Sequence, residues 1–275
     1  MALFTDRHYF VLAVLLYGAS ALYSIFLFRK GFRRDDLVNY SLLGAAFVFH
    51  TVAMLQRGFS LARCPIHNLY EATSFSMWTM TAAYLIAGLF PRLRFLGAFA
   101  APILFAVGVF ALMPALDTGS PRIEISGVWL SLHVALFALA YGAFGLSSVA
   151  ALMYLTQERN LKLHKLSAML AHVPPIQRLE LVAGRLLIAG FALLTLALIV
   201  SFAGVSGGSV GSWMADAKIM WSVFVWLLYS ALILLRWLFA QRGRRFAWGA
   251  VAGFTFVLLT FPLFSLLSPI HNPAP

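Results

Sequence analysis

Apolar residues run through this chain in long blocks that wrap the whole helical circumference, unlike the narrow stripes of a soluble amphipathic helix. Eight blocks stand out: Tyr9–Phe28, Leu37–Leu55, Leu69–Phe90, Phe95–Ala115, Val128–Leu155, Leu181–Ala203, Ile219–Phe239 and Phe246–Leu267. A helix of about 20 residues crosses the ~30 Å hydrocarbon layer of a bilayer. Lipid offers no hydrogen bonds, so each spanning segment must satisfy its own backbone, and the α-helix does this. The pattern predicts an all-α, polytopic membrane protein: a single transmembrane domain over residues 1–275 with about eight helices. The main basic cluster of the first block follows it, so that block reads as a retained helix and not as a cleaved signal peptide.

The polar connections set the orientation. Arg29, Lys30, Arg33 and Arg34 follow the first block, and Arg92 and Arg94 follow the third. Arg159, Lys162, Lys165, Arg178 and Arg185 surround the fifth connection, and Arg236, Arg242, Arg244 and Arg245 the seventh. These are fifteen of the 20 Lys and Arg; the other side holds Arg7, Arg57, Arg63, Arg122 and Lys218. Basic loops stay in the cytoplasm, so both termini and the 204–218 connection are expected outside. The longest connection, Gln157–Glu180, is then cytoplasmic; its alternation of leucines with Lys162, His164 and Lys165 suggests a short interfacial helix ending at Pro174-Pro175.

Composition agrees with this picture. The chain is 62% hydrophobic and 11% charged, too apolar for a soluble domain of 275 residues. Its net charge of +11 is explained by topology and needs no nucleic-acid partner. Cys64 is the single cysteine, which excludes an internal disulfide, a CxxC pair and a CxxCH haem attachment site. There is no phosphate-binding glycine loop, no HExxH and no nucleophilic triad. Mid-span carboxylates of the kind used in proton relays are missing as well.

The chemistry left to the chain is imidazole and aromatic. His133 sits near the outer end of the fifth block, His271 just beyond the eighth, His50 in the outer part of the second, and His67 before the third. The outer segment Gly211–Trp226 (GSWMADAKIMWSVFVW) carries Trp213, Asp216, Lys218 and Trp221. Each imidazole alone serves equally well as an interfacial hydrogen-bonding group. Several in one leaflet, beside an aromatic loop, are what axial ligation of haem iron and a flat apolar wall would use. Zinc is a weaker competitor, because a closed site takes four ligands and the lone cysteine adds little.

These segments resemble the cytochrome c assembly proteins of the CcsA/HemX type over roughly Phe47 to His271. The likeness is carried by HNLYEATSFSMW (67–78), SLHVALFALAYGAFGLSSVAALMYL (131–155), RLELVAGRLLIAGFALLTLALIV (178–200) and RGRRFAWGAVAGFTFVLLTFPLFSLLSPIH (242–271). The resemblance implies that His133 and His271 are the two outer histidines that ligate haem iron. Trp213, Asp216, Lys218 and Trp221 match the end of the family's tryptophan-rich loop, and Asn68, Tyr70 and Glu71 its NLYE segment; the resemblance implies that all seven belong to the haem-binding site. His50 matches an intramembrane histidine of the larger members, a secondary candidate ligand. Ala215 and Ala217 stand where that loop carries Trp and Pro, and Leu234 where the larger members carry a second intramembrane histidine. These departures place the chain nearer the short HemX-like and YpjD-like members.

The resemblance thus implies a multi-pass protein of a bacterial inner membrane that binds non-covalent, b-type haem at its outer face. Such a chaperone or relay need not be an enzyme; its partners would be haem, membrane lipid, other cytochrome c maturation proteins and apocytochrome c. Two other readings stand beside it: a regulator of haem biosynthesis acting through the cytoplasmic loops, and a haem-independent small-molecule transporter.

Overall fold

A computed structural model describes residues 5–30, 36–61, 68–117, 128–162, 175–203, 216–238 and 243–266. Among these residues the secondary structure is helical throughout: α1 (Asp6–Lys30), α2 (Asp36–Leu61), α3 (Leu69–Gly88), α4 (Gly97–Ala111), α5 (Val128–Lys162), α6 (Ile176–Ala203), α7 (Ala217–Leu238) and α8 (Arg244–Leu266). Short 3-10 turns, Pro91–Leu96 and Pro114–Leu116, flank α4. Each expected apolar block has its helix. The helices overrun several blocks into polar sequence, most visibly α5 to Lys162 and α6 from Ile176, because helix propagation needs only backbone bonds and not hydrocarbon.

Among the described residues six helices are long and apolar enough to cross a membrane: α1, α2, α4 with its preceding turn, α5, α6 and α7. The protein is therefore a multi-pass membrane protein. Helix α3 turns a polar face to the core, burying Glu71, Thr73, Ser74, Thr79 and Thr81. The interfacial helix expected near Leu161–Leu170 falls largely on 163–174, outside the described residues.

Two groups of helices meet along one crossing. Helix α1 packs on α2 and α4, and α3 on α2 and α4; α5 packs most extensively on α6 and also on α8, while α7 joins α6 and α8. The α3–α5 contact links the groups. At its centre a Cβ on Gly142 would stand 2.4 Å from the Thr79 carbonyl oxygen, so only glycine allows the backbones this close. A second glycine, Gly243 at φ 72°, makes the left-handed turn into α8.

Candidate functional site

His133 lies in the second turn of α5, and its Nδ1 is 3.0 Å from the backbone oxygen of Ala197 on α6. A carbonyl only accepts, so Nδ1 carries the proton; in the neutral ring Nε2 keeps its lone pair. This is the arrangement a metal-ligating imidazole uses, with one nitrogen anchored and the other presented.

An aromatic wall continues from it. The His133 ring meets Phe137 edge-on at 4.7 Å between centroids, and Phe137 leads to Tyr141 at 5.8 Å. Tyr141 contacts Trp221 of α7 at 6.4 Å and Phe261 of α8 at 5.5 Å. Trp221 stacks on Phe264 at 6.0 Å and donates from Nε1 to Thr260 Oγ1 at 2.9 Å. Positions 133, 137 and 141 repeat at i+4, so one face of α5 carries them, and the wall is completed by α7 and α8.

The start of α7 supplies the charges. Asp216 is buried, and its Oδ1 accepts from the backbone N–H groups of Lys218 (2.9 Å) and Ile219 (3.2 Å), capping the helix. The Lys218 ammonium sits over the Phe261 ring, 5.3 Å from its centroid, within electrostatic reach of His133. The structure therefore brings His133, Asp216, Lys218 and Trp221 together. Trp213 and His271 lie outside the described residues; α8 is described to Leu266, five residues short of His271.

Asn68, Tyr70 and Glu71 belong to a different place. Asn68 Oδ1 caps α3 by accepting from Glu71 N at 2.7 Å, and its Nδ2 donates to Asp117 Oδ1 at 2.9 Å. The Glu71 carboxylate accepts from Arg57 Nε at 2.8 Å. Arg57 also donates from Nη1 to Asp6 at 3.1 Å and from Nη2 to Asp117, and Arg7 pairs with Asp117 at 3.4 Å. The Tyr70 ring is within cation–π reach of both guanidiniums, 4.8 Å from Arg57 and 5.5 Å from Arg7. The residues missed from sequence are Arg57, Asp6 and Asp117. The sequence offers only an arginine near the end of an apolar helix, on the side that carries Asp6, Glu71 and Asp117, and nothing local pairs them.

His50 is buried between α1 and α3. Its Nδ1 is 3.2 Å from Tyr17 Oη and its Nε2 2.9 Å from Ser74 Oγ; Tyr17 Oη is 3.0 Å from Thr81 Oγ1, which donates to the Met77 carbonyl. Since Thr81 spends its proton on that carbonyl, Tyr17 donates to Thr81 and His50 Nδ1–H donates to Tyr17. Nε2 is then the acceptor for the Ser74 hydroxyl at 2.9 Å, a better acceptor than the Met54 sulfur that the same hydroxyl meets at 3.5 Å. Both nitrogens are engaged, and Leu234 on α7 is 53% exposed, turned out of the bundle. Among the described residues no group of three or more His, Cys, Asp or Glu side chains could hold a metal ion.

The model of the family described as "Cytochrome C assembly protein" matches residues 66–271, a range that runs from the residue before His67 to His271 and includes all of α3 to α8. The chain belongs to the cytochrome c assembly protein family. It is 26% identical to "Protein HemX" of Bacillus subtilis (strain 168) over 94% of either chain. It is also 26% identical to "Cytochrome c biogenesis protein CcsA" of Gloeobacter violaceus, over 88% of either chain, and to "Protein HemX" of Brevibacillus brevis over 93% of this chain. Within this family, the segments that supply His133 and the α7 cap both lie inside the matched range.

Proposed function

We propose that this chain is a haem-handling protein of cytochrome c assembly, presenting non-covalent b-type haem at the extracytoplasmic face of a bacterial inner membrane. In this reading eight helices span the membrane, with both termini outside. His133 and His271 ligate the iron, and the loop carrying Trp213 covers the porphyrin edge. The single observation that carries the proposal is the His133–Ala197 hydrogen bond, which fixes the ring and leaves Nε2 as a ligand beside an aromatic wall. The donor set fits haem: one anchored imidazole, a flat apolar surface from Phe137, Tyr141, Trp221 and Phe261, and a cation, Lys218, for a propionate. Bound there, haem would supply an iron that takes imidazole as a ligand, and the chain's own residues would bind it and orient it. Haem, maturation proteins and apocytochrome c are the partners this role requires.

The test is the visible spectrum of protein purified from haem-replete membranes. A bis-histidine spectrum is expected, lost in His133→Ala and in His271→Ala and partly restored to either by exogenous imidazole. Wild-type spectra from both variants would overturn the site.

A further inference from the structure

We infer that the inner end of the α7–α8 hairpin is a binding site for an anionic phospholipid headgroup, held by Arg244 and Arg245 and framed by Trp237 and Trp248. The register of the hairpin puts these four at neighbouring levels. Arg236 on α7 lies over the Phe246 ring of α8, 4.2 Å from its centroid, and Gly249 of α8 lies against Leu232 of α7. The two helices run antiparallel, so Trp237 is level with Arg244 and Arg245, and Trp248 lies about one helical turn deeper. Trp237 is 72% exposed and Trp248 53%. Exposed tryptophans within a turn of each other mark the headgroup boundary, where an indole meets both hydrocarbon and polar groups.

Arg244 and Arg245 stand one turn beyond Trp248 along α8, at i−4 and i−3, so all three share a helix face. The carboxylates at this end are already engaged. Glu158 receives Lys162 at 2.7 Å and meets Arg244 only at 4.0 Å; Glu180 faces Arg236 at 3.9 Å. Among the described residues Arg245 has no carboxylate within ion-pair distance, and the Arg244 side chain is 62% exposed. The outer end is different, because there Arg57 is surrounded by Asp6, Glu71 and Asp117. Two guanidiniums that share a single carboxylate contact, Arg244 with Glu158 at 4.0 Å, beside two exposed tryptophans fit a lipid phosphate: guanidinium supplies paired donors to phosphate oxygens while the indoles lie along the acyl chains.

The test titrates dansyl-phosphatidylglycerol into the full chain in neutral detergent micelles and reads energy transfer from tryptophan. Dansyl-phosphatidylcholine should transfer more weakly, and added salt should weaken the phosphatidylglycerol signal. Arg244→Gln with Arg245→Gln should lower the apparent affinity about 30-fold, and the paired Arg→Lys variant, which keeps the charge and loses the paired donors, should fall between that variant and the wild type. Should the double glutamine variant not fold, the salt titration of the wild-type chain decides. Equal binding of the two lipids, an unchanged double variant, indifference to salt, or full displacement by inorganic phosphate would each overturn the inference.

Discussion

Arg57 Nε donates to a carboxylate of Glu71 at 2.8 Å, and the glutamate side chain that accepts it has no solvent exposure at all. Helices α2 and α3 are thereby tied at one end by a charge that has nowhere else to go. A buried carboxylate is tolerated only with a partner, and the guanidinium fork serves Asp6 and Asp117 at the same time.

Removing that fork should be costly. Arg57→Ala strands the Glu71 charge, and breaking a buried pair from one side costs about 3–5 kcal/mol. Arg57→Lys should recover only part, because one ammonium cannot reproduce three directed contacts. Melting temperatures in mild detergent check this, and an Arg57→Ala protein that melts with the wild type contradicts it.

His50 is expected to stabilise the bundle without ligating haem. His50→Ala leaves Tyr17 and Ser74 without their shared partner, a loss of about 1–3 kcal/mol for an orphaned buried group. The haem spectrum should survive in whatever protein remains folded. Loss of most bound haem with an unchanged melting temperature would reverse the assignment.

At the start of α7, Asp216→Ala should cost about 1 kcal/mol by removing the acceptor for Lys218 N and Ile219 N. Asp216→Asn keeps an oxygen in place and should cost less. Limited proteolysis in the 204–215 connection is the readout, with cleavage faster in the alanine variant than in the asparagine variant.

Reporter fusions settle orientation. Those at Arg33, Arg94, Lys165 and Arg244 should report cytoplasm, and those at Arg122 and the C-terminus the opposite side. A cytoplasmic C-terminus would remove the shared face on which His133 and His271 are placed.

The helices were legible in the sequence because hydrocarbon demands length and apolarity, and both are written residue by residue. Val128 opens α5 and Ala203 closes α6 at the positions where their apolar blocks begin and end. The His133 neighbourhood was legible in part: the sequence put His133 on the same membrane side as Asp216, Lys218 and Trp221, but nothing local named Phe137, Tyr141 or the Ala197 carbonyl, 64 residues away. The Arg57 cluster was not legible, because its members come from three helices and a connection. Asn68, Tyr70 and Glu71 looked like a ligand-binding motif, yet in the structure their side chains cap a helix, contact two guanidiniums and pair with Arg57. A short motif gives residue types; only packing says what each one faces.

Helix α5 is a single element of 35 residues, roughly 50 Å at 1.5 Å per residue, against a hydrocarbon layer of ~30 Å. It carries His133 near one end and Arg159 and Lys162 at the other. Between them Gly142 is pressed to the Thr79 carbonyl, where a Cβ would stand 2.4 Å from the oxygen. Any side chain there would push α5 off α3, so the spacing of the two helix groups rests on one missing carbon atom.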